Sequence, residues 1–338
     1  MTCVVSSRVQ VVAAAPPPPR LKHGHDQPQP GAESPDGVEC DLPQPCPGLP
    51  PSTPLPPTAG QPLAASLVGN KYLILEPVEG SSLHRCVNVH TQEEYVCKVA
   101  GGEGSALLAA HCRLDAHPHV SSLHEVLHGR GRMCLVFPVS HGDLHSHVRA
   151  CRRLREPEAR RLFRQVAGAV RACHDRGLVL RDLKLRKFVF ADPLRTQLRL
   201  ESLEDAVVLE DPEDDSLQDK RGCPAYVSPE ILRSHARYSG RAADMWSLGV
   251  ILYTMLVGRY PFNDSEHASL FAKISRGHFV MPECLSARAR CLIGHLLRRV
   301  PSERLSAEDV LLHPWLARED GCETPCRADQ LVPDVDDA

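Results

Sequence analysis

Two short stretches of this chain hold side chains that could handle phosphate. In the first, Leu180-Arg181-Asp182-Leu183-Lys184 follows a long helical segment and precedes the strand-like Phe188-Val189-Phe190, with Lys187 between them. In the second, Leu200-Glu201-Ser202-Leu203-Glu204 places two carboxylates beside a serine. A lysine, Lys98, stands upstream in the β-type run Tyr95–Val99. Phosphoryl transfer needs an oriented hydroxyl and neutralised phosphate charge, chiefly through magnesium. An aspartate and a lysine would suit those tasks. The same two residues also serve as scaffolding, the lysine bracing a sheet and the aspartate ordering its own loop.

These residues need a frame to hold them. Composition is uneven: 16 of the 30 prolines lie in the first 62 residues, which carry almost no periodic apolar content. Such a stretch buries too little apolar area to offset chain entropy, so residues 1–67 are expected to be disordered. From Lys71 onward, β-type runs appear at Tyr72–Leu75, Cys86–His90, Tyr95–Val99 and Cys134–Phe137, with a short helix at Ser105–Leu114. Helical periodicity then dominates, over Glu156–Arg176, Ala242–Val257, Ser265–Ser275, Ser286–Leu297 and Ser306–His313. The pattern predicts an α+β, bilobal fold with a small β-rich N-lobe and a larger helical C-lobe over 68–317. A polar, acidic tail, 318–338, follows and is expected to be disordered.

Net charge is −3 with an isoelectric point near 6.6, which implies neither a nucleic-acid nor a membrane partner. The run Met245–Gly258 is too short to span a bilayer, and Val9–Ala15 does not read as a secretory signal. The 14 cysteines form no CxxC pair, which argues against a zinc site or a disulfide scaffold. Cys97, Cys112, Cys134 and Cys173 lie in apolar stretches, where cysteine acts as a small hydrophobe. The arginines around 152–161 read as a solvated helix face.

Several motifs now align in order. Tyr95–Lys98 resembles the protein-kinase strand that bears the phosphate-binding lysine, and Leu180–Lys184 resembles the catalytic loop, with a leucine where its histidine would stand. Gly222–Glu230 resembles the close of an activation segment, and Asp244–Val250 the central helix of the large lobe. Arg304 and His313-Pro314-Trp315 resemble the end of that lobe. Against this pattern the metal ligands are missing. Lys187 occupies the position of the catalytic-loop asparagine, and a cation does not ligate a cation. Ser202 occupies the position of the second metal-binding aspartate. The phosphate-covering loop, Leu75–Ser82, keeps one glycine, Gly80, where a kinase wants three. Glu103 is the candidate partner for Lys98. The resemblance also implies structural roles for Glu230, Asp244 and Arg304, the first and last as a salt bridge.

Leu180–Phe190 together with Leu200–Asp205 resembles the tribbles family of pseudokinases. That resemblance implies no metal, no catalytic residue among the remnants Lys98 and Asp182, and at most weak ATP binding at Lys98 without magnesium. It implies that Asp329, Gln330, Leu331, Val332, Pro333, Asp334 and Val335 recruit a constitutive-photomorphogenic-type E3 ubiquitin ligase. It also implies binding of MAP-kinase kinases by Val310, Leu311, Leu312, His313, Pro314, Trp315 and Leu316, a string that equally reads as the ordinary end of a kinase domain. Substrates would be bZIP transcription factors of the CCAAT/enhancer-binding type, in nucleus and cytoplasm. The residues after Val335 lack the family's acidic, aromatic end, so a tight fold-back of the tail is not expected. The competing reading is an atypical serine/threonine kinase that uses ATP without metal.

Overall fold

The computed structural model describes residues 11–13 and 66–317, apart from 80, 102–103, 115–116, 130–131 and 234–235. The small lobe is built on a seven-stranded sheet in the order β1-β6-β7-β5-β4-β3-β2. Its strands are β1 Val11–Ala13, β2 Ser66–Val68, β3 Tyr72–Pro77, β4 His84–Asn88, β5 Glu94–Ala100, β6 Glu125–Gly129 and β7 Arg132–Pro138. The pairing is antiparallel from β2 through β6. The short β1 adds a parallel edge on β6, a paired strand inside the stretch expected to lack regular structure. Residues 1–10, 14–65 and 318–338 lie outside the described residues, and with them Asp329–Val335.

Alternation along the strands assigns the two faces of the sheet. Leu83, Val96, Leu135 and Phe137 join the main core beneath the sheet, whereas Tyr72, Cys86, Cys97, Leu127, Cys134 and Val136 form a separate cluster on the opposite face. Cys97, Cys134 and Cys173 are buried among apolar neighbours as expected, but Cys112 is exposed. Helical phase explains the difference: on α1 (Gly104–Arg113) the inward positions are Leu107, Ala110 and His111.

The large lobe wraps α4 (Gly240–Val257), of which 15 residues are buried, so that it is apolar all round as a central helix must be. Packed with it are α2 (Leu144–Cys151), α3 (Glu156–Asp175), α5 (His267–Arg276), α6 (Ala287–Leu296), α7 (Ala307–Leu312) and α8 (Pro314–Ala317). Side-chain caps from Asp143, Ser239, Ser286 and Ser306 start α2, α4, α6 and α7. Among the described residues no helix is long and apolar enough to cross a membrane.

Gly258 ends α4 in the left-handed region at φ 78°, and its amide hydrogen bonds back to Thr254 O at 2.8 Å. A Cβ at this position would lie 1.8 Å from Arg152 O, because the 152–154 turn presses its backbone against the helix end. Gly258→Ala is therefore expected to cost at least about 2 kcal/mol. Thermal unfolding should show a midpoint lowered by roughly 4–8 °C.

Candidate functional site

Between the lobes, the residues singled out by sequence meet in one ion cluster. The hairpin of β9 (Phe188–Phe190) and β10 (Leu198–Leu200) delivers the 201–206 segment beneath the sheet. Glu201 N donates to Lys187 O at 2.8 Å, which fixes the start of that segment. Ser202 is buried, and its hydroxyl accepts from Glu204 N at 3.3 Å, closing a local turn. This turn aims the Glu204 carboxylate at Lys98, 2.6 Å away. Lys187 Nζ reaches the same carboxylate at 3.4 Å and Asp205 at 2.7 Å. The small lobe closes over this arrangement through two serines. Ser82 donates to Glu204 at 2.6 Å and Ser81 to Glu201 at 2.7 Å.

Among the described residues, Lys98 thus takes its partner from the large lobe. Glu103, the partner expected from sequence, lies outside the described residues, and α1 carries no acidic residue in its first turn.

Electrostatics follow from this geometry. Burial alone would raise the Glu204 pKa; hydrogen bonds from Lys98 and Ser82 and the charge of Lys187 overcome it and hold the carboxyl down at about 2. Burial alone would lower Lys187, and Asp205 with Glu204 reverses that to a net rise. Glu201 is different: burial dominates and pushes it up, against the opposing bond from Ser81.

The chemistry of the donor set does not fit magnesium. One metal position holds an ammonium group already saturated by carboxylates, and the other a serine turned into its own loop. Among the described residues no group of three or more His, Cys, Asp or Glu is arranged to hold a metal ion. Glu201 and Glu204, the nearby carboxylates, are spent on serines and lysines. The cavity lined by Asp182, Lys187, Ser202, Leu203 and Asp205 measures about 10 Å³. That is room for about one water.

Asp182 is likewise occupied. Its carboxylate accepts from Lys184 Nζ at 2.5 Å and from Cys223 N at 3.1 Å. Arg181, at φ 62°, donates to Asp205 O at 2.6 Å and pairs with Asp219. These bonds tie the catalytic-type loop to the activation-type segment. Asp244 organises the loop from below, accepting from Leu180 N at 2.8 Å, Arg181 N at 2.9 Å and His174 at 2.9 Å. Glu230 and Arg304 form a bidentate pair at 2.6 and 2.7 Å, with Arg304 also donating to Ala242 O and lying over the Trp246 ring.

The 310–316 string divides between core and surface. Val310, Trp315 and Leu316 are buried and Leu311 is half-buried, while Leu312 is 71% exposed. Trp315 Nε1 donates to Glu156, which also accepts from Ser286. A partner reaching this string on the folded domain would therefore read Leu312, His313 and Pro314 rather than the whole of it.

Sequence reasoning quoted the stretches that hold Ser81, Ser82, Lys184 and Asp205 but gave these four side chains no role. The serines stand in the loop where glycines were sought, and no local signal marks their partners 120 and 122 residues away.

The protein kinase domain family model matches residues 78–316. Mouse Tribbles homolog 2 is 55% identical over 274 residues, covering 78% of this chain and 79% of that protein. Rat Tribbles homolog 3 is 52% identical over 322 residues, covering 94% and 87%, and human Tribbles homolog 3 is 52% identical over 301 residues, covering 86% and 84%. A bilobal kinase fold, a serine and a lysine at its metal positions, and identity at this level over most of the chain agree: the protein belongs to the Tribbles family.

Proposed function

We propose that this chain is a non-catalytic adaptor, a pseudokinase that holds a substrate on its folded lobes and a ubiquitin ligase on its tail. The observation that carries the first half is the Glu204 carboxylate shared by Lys98 and Lys187. A site that puts its own cation at one metal position and a serine turned into its own loop at the other offers no ligand set for a magnesium nucleotide. Loss of the metal clamp alone removes several kcal/mol of transition-state stabilisation.

The second half rests on Asp329–Val335, where an apolar Leu-Val-Pro is flanked by carboxylates in the pattern of the family's ligase-recruiting motif. Tethering ligase and substrate to one chain raises the local concentration of one at the other. The substrates in this reading are bZIP transcription factors of the CCAAT/enhancer-binding type. MAP-kinase kinases are restrained through the exposed part of Val310–Leu316, and the chain acts in nucleus and cytoplasm.

The test is capture of a constitutive-photomorphogenic-type ligase by the full chain. Val332→Ala with Pro333→Ala should abolish capture while leaving the melting temperature unchanged; undiminished capture would refute the adaptor reading.

Retention of Lys98 and Asp182 favours a second reading, an atypical kinase working without metal. It requires phosphate transfer that disappears in Asp182→Asn.

A further inference from the structure

The two serines that close the cleft have not been given a role by the adaptor reading. Ser81 and Ser82 are half-buried in the turn between β3 and β4. Each donates one hydrogen bond across the lobe boundary to a different carboxylate, Ser81 to Glu201 and Ser82 to Glu204. Their positions differ in what surrounds the acceptor. The Ser81 hydroxyl also accepts from Leu83 N at 3.3 Å and faces a buried glutamate. Ser82 faces Glu204 Oε2, the same oxygen that binds Lys98 at 2.6 Å. Beside them stand Lys187 and Asp205. Ser82 therefore sits at the junction of a carboxylate and two ammonium groups, where added charge has the largest effect.

We propose that Ser82 is a phosphorylation site whose modification opens the cleft. The co-reactant is ATP, delivered by a separate serine-directed protein kinase. The Ser82 Oγ forms a bond to the γ-phosphorus as the bond from that phosphorus to the β,γ-bridging oxygen breaks. ADP leaves, and the hydroxyl proton passes to that kinase's base. The product carries a charge of about −1.5 to −2 at neutral pH and has lost its only hydroxyl proton. It no longer donates to Glu204 and instead repels both Glu204 and Glu201. Because it lies next to Lys98, the phosphate takes that lysine as its new partner and expels the Glu204 carboxylate. The 201–206 segment, held at this point by Ser82 and Lys98, is then released, and Lys187 keeps Asp205.

The inference rests on the closed cleft and not on the ligase tail, so its failure and that of the adaptor reading are separable. The experiment uses the full chain with phosphoserine installed at position 82, compared with the unmodified chain by amide hydrogen exchange. Exchange across 201–206 should rise at least tenfold while α3 and α4 stay protected. Ser82→Ala, which removes the bond without adding charge, should give a smaller rise, and Ser82→Glu one between Ser82→Ala and phosphoserine. Unchanged exchange across 201–206 in the phosphorylated chain overturns the proposal. So does a rise that extends through α4, because the phosphate would then be unfolding the domain rather than opening the cleft. Peptide mapping of the chain from eukaryotic cells held in phosphatase inhibitor should find phosphate on Ser82; its absence there overturns the assignment of the site.

Discussion

Replacing Glu230 with alanine is expected to cost about 3–5 kcal/mol. The reason is what remains behind. Arg304 has a side chain only 1% exposed, and Glu230 accepts from both of its terminal nitrogens. Alanine removes the countercharge and leaves the guanidinium buried, with Ala242 O and Arg298 O as its main neutral acceptors. For a domain of this size the midpoint should fall by about 10 °C. A double replacement of Glu230 and Arg304 by methionine separates charge from packing. With neither charge present, the desolvation cost vanishes along with the attraction, so the double variant should melt above the single one. If the Glu230→Ala chain melted within a degree of the parent, the pair would contribute only shape.

Acidification should destabilise the fold in two successive windows. His111, buried on α1 against the Phe137 ring at 5.0 Å, has its pKa pushed down from 6.5 to about 4 by burial. The unfolded chain therefore takes up this proton first. Its stabilising contribution is complete above about pH 6.5 and is lost as pH falls towards 4, amounting to about 3 kcal/mol. Glu204, held at about 2 instead of 4.5, follows the same sign at lower pH. Its contribution, again about 3 kcal/mol, is present above 4.5 and is lost as pH falls towards 2. Glu201 works in the opposite sense, since its raised pKa means that protonation relieves the folded state, and it offsets part of the second window. Urea midpoints measured from pH 7 to 3 should show both declines. His111→Leu should shrink the upper one, to which His117, His145 and His313, also lowered by burial, contribute, and Glu204→Gln should shrink the lower one, which the lowered Glu156 shares. A single decline below pH 4 that His111→Leu leaves unaltered would contradict this assignment.

Much of this fold was legible because long periodic elements declare themselves. Leu162, Val166, Val170 and Cys173 mark the buried side of α3, and all four are fully buried. The unbroken apolar run of α4 reads as a central helix because a helix wrapped by others needs no polar face. Short elements did not declare themselves. In β6 only Val126 and Leu127 are strand formers, and its neighbours Glu125 and His128 are polar. In α2 only Leu144 and Val148 are buried, one turn's worth of signal. At the site, sequence reads Lys187 and Ser202 at the positions of metal ligands, and the structure gives the first carboxylate partners and turns the second into its own loop. The closure of the site was not legible, because Ser81 meets Glu201 across 120 residues and Ser82 meets Glu204 across 122. No local spacing encodes a contact that only the packed lobes create. Glu201 and Glu204 were visible as unassigned carboxylates, but whether they faced a metal, a lysine or solvent depended on the turn that Ser202 makes.

The Glu204–Lys98 pair makes the cleft its own competitor. A carboxylate carried on the same chain is present at an effective concentration that no dilution changes, and it occupies the lysine a phosphate would need. A phosphate that takes Lys98 from Glu204 binds only the fraction of molecules in which that carboxylate has let go. If one molecule in a hundred is open, the apparent affinity falls about a hundredfold below the intrinsic one. For such a ligand, occupancy depends on how often the chain releases Lys98 as well as on how well the ligand fits.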